Sequence, residues 1–186
     1  MNRIFVVNKP IFTSSNHYLS RIKRKYKQKK AGFSGTLDPF ASGCLIVAFG
    51  QYTKLFQFLK KTPKSYRTTI WLGAQSDSLD IENITSIEQT SKLDIEKIKE
   101  NLQDLIGSCT YLPPKYSAKR IDGKRAYDLA RNNEEFALKA ITSQIFDVKF
   151  ISYCHPFITF DITVSEGSYI RSLAQVFLDK IGSFGT

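Results

Sequence analysis

Negative charge is nearly missing from the first 76 of the 186 residues: Asp38 stands there alone against fourteen lysines and arginines. Cysteine is scarce as well. Cys44, Cys109 and Cys154 lie far apart, which excludes a disulfide framework and a zinc motif, and Cys154-His155 has no second ligand pair to complete a metal site. There are two histidines; His17 falls in a basic helical stretch and neither is near a serine elbow, so serine-hydrolase chemistry lacks its base. No apolar run is long enough to span a membrane, and the apolar part of Met1-Asn2-Arg3-Ile4-Phe5-Val6-Val7 is too short for a signal peptide. A soluble, cytoplasmic protein is the expectation, for which Asn83-Ile84-Thr85 is a glycosylation match without consequence. The glycines between Gly35 and Gly43 are not followed by Lys-Ser or Lys-Thr and do not match the dinucleotide fingerprint, so a Walker loop and a Rossmann site are both excluded.

What is present suits one compact domain. With 42% apolar residues, a chain of this length buries about 70% of its unfolded surface. The net charge of +10 is unevenly spread, since residues 77–186 carry thirteen basic against sixteen acidic side chains. A basic block of this kind reads either as a solvated face or as a nucleic-acid footprint, because neutralisation of phosphates by Lys and Arg supplies most non-specific affinity. A membrane surface fits poorly, as Arg21 to Lys30 has almost no apolar face to insert.

Periodicity places the elements. Ile4 to Val7 reads as a short buried strand, ended by Pro10. Ser14, Ser15 or Asn16 caps a helix with Leu19, Ile22 and Tyr26 on one face and cations on the rest. A Gly-rich loop covers 31–43, a buried strand Cys44 to Phe49, a short helix capped by Thr53 carries Leu55, Phe56 and Leu59, and a strand runs from Ser65 to Leu72. Residues 77–92 read as an irregular surface excursion. Ile95, Ile98, Leu102, Leu105 and Ile106 predict an amphipathic helix stopped by Gly107. After Pro113-Pro114, a basic hairpin turning at Asp122-Gly123 and a short helix are expected. Two strands follow, Phe146 to Tyr153 and the alternating Phe157 to Val164, and then a last helix capped by Ser168, with Arg171 in its first turn on the face opposite Leu173, Phe177 and Leu178. The expected fold class is α+β, a mixed and largely antiparallel sheet with flanking helices, in a single domain 1–186 whose protruding arm covers about 112–143.

A lone carboxylate in a basic field narrows the chemistry. Nearby cations favour its ionised form, and the two-carboxylate glycosidase arrangement lacks its second member. Asp38 lies in Gly32-Phe33-Ser34-Gly35-Thr36-Leu37-Asp38-Pro39, where glycines permit close approach to a ligand. Composition and spacing leave two readings open: a covalent nucleophile or base that needs no cofactor, or an Asp-Pro turn.

That stretch, continued through Phe40-Ala41-Ser42-Gly43 to Gly50-Gln51-Tyr52-Thr53-Lys54, resembles the catalytic loop of the TruB family of tRNA pseudouridine synthases. Four further segments resemble the family in order: Asn8-Lys9-Pro10 with Ser14-Ser15-Asn16; Lys64-Ser65-Tyr66-Arg67; Pro113-Pro114-Lys115-Tyr116-Ser117-Ala118 with Gly123-Lys124-Arg125-Ala126-Tyr127; and Gly167-Ser168-Tyr169-Ile170-Arg171-Ser172-Leu173.

The resemblance implies the pseudouridine synthase catalytic fold and isomerisation of uridine 55 in the T arm of tRNA, by a monomer with no cofactor, metal or obligate protein partner. It implies Asp38 as nucleophile toward either the uracil ring or the ribose anomeric carbon, Tyr66 stacked on the base, and Arg171 paired with Asp38. Lys9, Phe33, Gly35, Leu37 and Tyr169 become substrate-binding residues. Arg24, Lys25, Lys27 and Lys54, with Lys119, Lys124 and Arg125 on the arm, become RNA-binding residues. The target base must leave its stack. Phe33 stands where members usually carry a histidine, and a phenyl ring can fill the vacated place without hydrogen-bonding. Members commonly run on past the point matching Thr186, so a C-terminal RNA-binding domain is expected to be absent. The alternative is a non-catalytic RNA-binding or RNA-chaperone module.

Overall fold

The apolar run that ends at Gly50 becomes the middle of a three-stranded antiparallel sheet, in the order β1-β3-β2. In this computed structural model, which describes residues 1–117, 119–121, 123–132 and 134–186, β1 is Arg3–Lys9, β2 Ala31–Ser34 and β3 Gly43–Phe49. A strand flanked on both sides can be apolar on both faces, and Leu45, Val47, Ala48 and Phe49 are all buried. The outer strand β1 is less buried than its sequence suggests, with Ile4 and Val6 exposed. The expected loop 31–43 is partly strand: Phe33 pairs opposite Val47. Helix α1 (Ser15–Lys25) lays Leu19 and Ile22 on this sheet, and the Ser14 hydroxyl caps it by accepting the His17 N–H. A 3-10 helix, Gly50–Phe58, completes a first unit, Met1–Lys60.

The second unit, Lys61–Thr186, is built on a four-stranded antiparallel sheet in the order β4-β11-β10-β7. Its strands are β4 (Lys64–Trp71), β7 (Gly107–Tyr111), β10 (Ile141–Cys154) and β11 (Phe157–Val164). The alternation read from β11 sorts its faces: Ile158, Phe160, Ile162 and Val164 are buried under helices α2 (Ile95–Gln103) and α4 (Ile170–Ile181). Each such side chain is worth roughly 1.5–3 kcal/mol of burial. The opposite face carries polar cross-strand pairs: Ser65 with Thr163, Arg67 with Asp161, and Thr69 with Thr159. Gly182, at φ 65°, ends α4 in the left-handed conformation that glycine adopts without strain.

Three expectations need correcting. Residues 77–92 are not an irregular excursion, because β5 (Ala74–Ser76) and β6 (Ile84–Ile87) form a hairpin whose connection buries Ser78 and Asp80. Helix α2 ends at Gln103 and exposes Ile95 and Ile106. All described pairings are antiparallel and fall into separate sheets rather than one mixed sheet. The basic hairpin is present as β8 (Arg120–Ile121) and β9 (Lys124–Arg125), followed by α3 (Ala126–Arg131). Asp122, expected to share its turn, and Ala118 of the preceding motif lie outside the described residues.

Candidate active site

In the first unit the loop joining β2 to β3 carries Asp38, half-buried, and the segments around it are fastened from two sides. Ser15, 2% exposed at the start of α1, bonds Leu37 twice: its hydroxyl donates to the Leu37 carbonyl at 2.9 Å and accepts the Leu37 N–H at 3.1 Å. On the other flank the Pro39 carbonyl accepts from the Thr13 N–H at 3.2 Å, and the Asp38 carbonyl from the Ala41 N–H at 3.1 Å. Gly35, at φ 77°, makes the left-handed step out of β2 that a side chain would resist.

Lys9 is the third fastening. Its side chain is completely buried, and its ammonium donates to the carbonyls of Pro10 at 2.9 Å, Thr13 at 2.6 Å and Pro39 at 3.2 Å. Burying an ammonium is costly unless its donors are satisfied, and these three carbonyls satisfy them while tying β1 to the residue after Asp38. The sequence reading put Lys9 on the substrate; these bonds make it part of the loop's support. Phe33 is half-buried on β2 and packs on the unit's core. Lys9, at the end of β1, thus supports the loop that carries Leu37 and Asp38.

In the second unit the structure collects Tyr169, Arg171 and the segment before the hairpin. Arg171 is 9% exposed, a correction to the outward orientation expected of it. Its guanidinium donates to the carbonyl of Ser78, to the Asp80 carboxylate at 3.2 Å and to the Tyr116 carbonyl at 2.9 Å. Asp80 is held in turn by the Ser78 hydroxyl at 2.7 Å and the Glu82 N–H at 2.9 Å. Sequence reasoning missed Asp80. The signal was present as Ser78-Leu79-Asp80-Ile81-Glu82, since an Asp accepting from the N–H two residues on is a turn that aspartate forms from its own side chain. Tyr169 caps α4 through its backbone, its N–H donated to the Tyr111 phenol at 3.0 Å, which itself bonds the Ser143 hydroxyl at 2.6 Å. Ser168, expected as the cap, makes no such bond to α4. Tyr66 lies on β4 opposite Ile162, half-buried against the core.

The expected RNA-binding side chains fall into two sets. Arg24, Lys25 and Lys27 are exposed at the end of α1, and Lys54 on the 3-10 helix. On the hairpin Lys119 is half-buried, Lys124 pairs with Glu134 at 2.9 Å, and Arg125 bonds the Tyr127 phenol at 2.9 Å. The Lys124 hydrogen bond holds the Glu134 carboxyl below its usual range. Among the described residues no His, Cys, Asp and Glu group could hold a metal ion, and no helix is long and apolar enough to cross a membrane.

The helices and antiparallel sheets are those of the pseudouridine synthase catalytic fold. The chain superposes on the crystal structure of a Cbf5-Nop10-Gar1 complex with a TM-score of 0.73 at 23% identity, over 98% of this chain and 46% of that one. Residues 23–170 match the N terminal domain of the TruB family pseudouridylate synthases, and the chain belongs to that family. It is 60% identical to the tRNA pseudouridine synthase B of Sulfurovum sp. (strain NBC37-1), covering 97% of this chain and 65% of the relative. Against that of Campylobacter concisus (strain 13826) it is 59% identical, over 98% of this chain and 67% of the relative. It therefore spans about two thirds of the length of these relatives.

Proposed function

We propose that this chain isomerises uridine to pseudouridine in the T loop of tRNA, at position 55, with Asp38 as the nucleophile. The observation that carries the reading is the loop itself: a half-buried carboxylate, the sole acid of its unit, whose two flanking peptides are tied by Ser15, Thr13 and Lys9. Holding a nucleophile in an attack geometry is worth far more than its intrinsic reactivity. The reaction breaks the bond between N1 of uracil and C1′ of ribose, turns the base, joins C5 to C1′ and releases the C5 proton. Asp38 assists either by adding to the ring or by holding C1′ while the base is free.

The family resemblance assigns Tyr66, Tyr169 and Arg171 of the second unit to the reacting uridine. Phe33 fills the stack that the uracil leaves. Gly35 lets the backbone approach the ligand and Leu37 contributes an apolar wall. Arg24, Lys25, Lys27, Lys54, Lys119, Lys124 and Arg125 carry the affinity for the RNA backbone. Incubating the chain with unmodified tRNA, followed by mapping with a pseudouridine-specific reagent, tests this directly. A signal confined to the T-loop uridine is expected. Its absence, at RNA concentrations where the chain is bound, would refute the proposal.

A further inference from the structure

Phe12 lies in the turn between β1 and α1 with a left-handed backbone, at φ 55°, a conformation uncommon for a bulky side chain. Glycine would take the same turn without strain. Nor does the ring offset that strain by packing, since it is 66% exposed and lies outside the apolar cluster that Phe5, Phe33 and Phe49 join. An exposed phenylalanine by itself carries no meaning. One held in a disfavoured conformation does, because strain of this kind gathers where a ligand is gripped. The turn is also fastened from inside. The Lys9 ammonium donates to the carbonyls of Pro10 and Thr13, on either side of Ile11 and Phe12, and the Thr13 N–H donates to the Pro39 carbonyl at 3.2 Å. Phe12 and Asp38 are each one residue from that last bond, so the ring is fixed beside the loop that carries the carboxylate.

What such a ring can hold follows from its place. The first unit carries eleven basic side chains against Asp38 and so attracts a polyanion. An apolar ring in that field suits a ligand that has flat bases as well as phosphates. Paired bases keep their faces inside the double helix, whereas the bases of an RNA loop can be splayed out and stacked on aromatic side chains. When the reacting uridine leaves its stack, the base beside it loses a neighbour. We infer that Phe12 is a substrate-binding residue whose ring stacks on an unpaired base of the RNA loop beside the uridine that Asp38 attacks. Every base has a π face, so the contact positions the loop without reading its sequence. The inference rests on the proposed RNA substrate, and it leaves to Phe33 the place that the uridine vacates.

The test uses the whole chain and two labelled probes, an unmodified T-arm stem-loop and the duplex of its stem without the loop. Phe12→Gly is expected to weaken stem-loop binding about tenfold, within the range that removal of one stacking ring produces. Duplex binding, which rests on phosphate contacts that the variant keeps, should stay within about twofold of the parent. The melting temperature should be no lower than the parent's, because glycine suits the turn. Phe12→Trp keeps a ring, so it should bind the stem-loop as the parent does and lose fluorescence on binding, beyond any change that Trp71 shows in the parent. Unchanged stem-loop affinity in Phe12→Gly, or no added quenching in Phe12→Trp, would overturn the inference. A lower melting temperature with an equal loss on both probes would also overturn it, by showing that Phe12 serves only the fold. A parent that binds the stem-loop and loses affinity through Phe12→Gly, yet forms no pseudouridine, would leave the stacking supported and refute the catalytic proposal alone. A parent that forms pseudouridine while Phe12→Gly binds the stem-loop equally well would refute the stacking alone.

Discussion

The two units treat charge in opposite ways. Residues 1–60 carry eleven basic side chains and one acidic one, whereas residues 61–186 carry sixteen of each, so the whole net charge of +10 belongs to the first unit. In the second, charges balance, and several are matched in pairs. Arg171 meets Asp80 in the interior, and Arg67 meets Asp161, Lys124 Glu134 and Lys61 Glu166 at the surface. The contrast teaches where each kind of work is done. A unit with a large excess of cations attracts a polyanion, and the proposed function gives the one carboxylate within it a reactive role. A unit with balanced charge holds the buried Arg171–Asp80 pair as part of its frame.

Breaking the frame should cost the most stability. Asp80→Ala removes the carboxylate from a buried guanidinium, and about 3–5 kcal/mol of unfolding free energy is expected to go with it. Urea unfolding followed by tyrosine fluorescence measures this. A loss below about 1 kcal/mol would place Asp80 with ordinary surface pairs. Lys9→Met carries the comparison into the first unit: three carbonyls lose their donor, with an expected cost of about 1–3 kcal/mol. The same variant should turn over more slowly at saturating RNA, since the peptide after Asp38 is released. Ser15→Ala severs both bonds to Leu37 and should cost about 1 kcal/mol, with a smaller drop in rate read in the same assay.

The least effect is expected at the matched surface. The hydrogen bond and charge of Arg67 hold the Asp161 carboxyl below its usual range and raise the Arg67 guanidinium in return. A carboxyl lowered in the folded state contributes stability that is fully present above its unfolded value, near pH 4, and is lost as the pH falls through the folded value. Unfolding followed from neutral to acid pH should therefore separate Arg67→Ala from the parent slightly at neutral pH and not at the acid end. A gap that widens toward acid would contradict the pairing.

The elements legible in the sequence were those with a strong period. The alternation of β11 and the apolar stripe of α4 rest on side chains whose burial decides the local structure, so pattern and fold agree. Two elements deceived for physical reasons. Residues 31–34 look like loop because of Gly32, but the buried β3 beside them supplies a partner for their backbone. The segment 77–92 looks like a surface because it is polar, yet Asp80 and Ser78 are inside, their polarity satisfied by Arg171 and by each other. Of the candidate site, the position of Asp38 on a Gly-rich loop was legible, and its support was not. Lys9 stands out in the sequence only as a substrate-binding residue, and its three carbonyl partners, up to thirty residues away in sequence, are seen only in the fold.

On the proposed function the first unit divides its labour, one acid for chemistry and the cations for affinity. Asp38→Asn tests it most directly, by measuring pseudouridine formation and dissociation constant on the same unmodified T-arm stem-loop. No detectable pseudouridine is expected, with a dissociation constant no weaker than that of the parent, since removing the lone negative charge cannot reduce attraction to phosphates. Turnover by Asp38→Asn at a rate near that of the parent would contradict it.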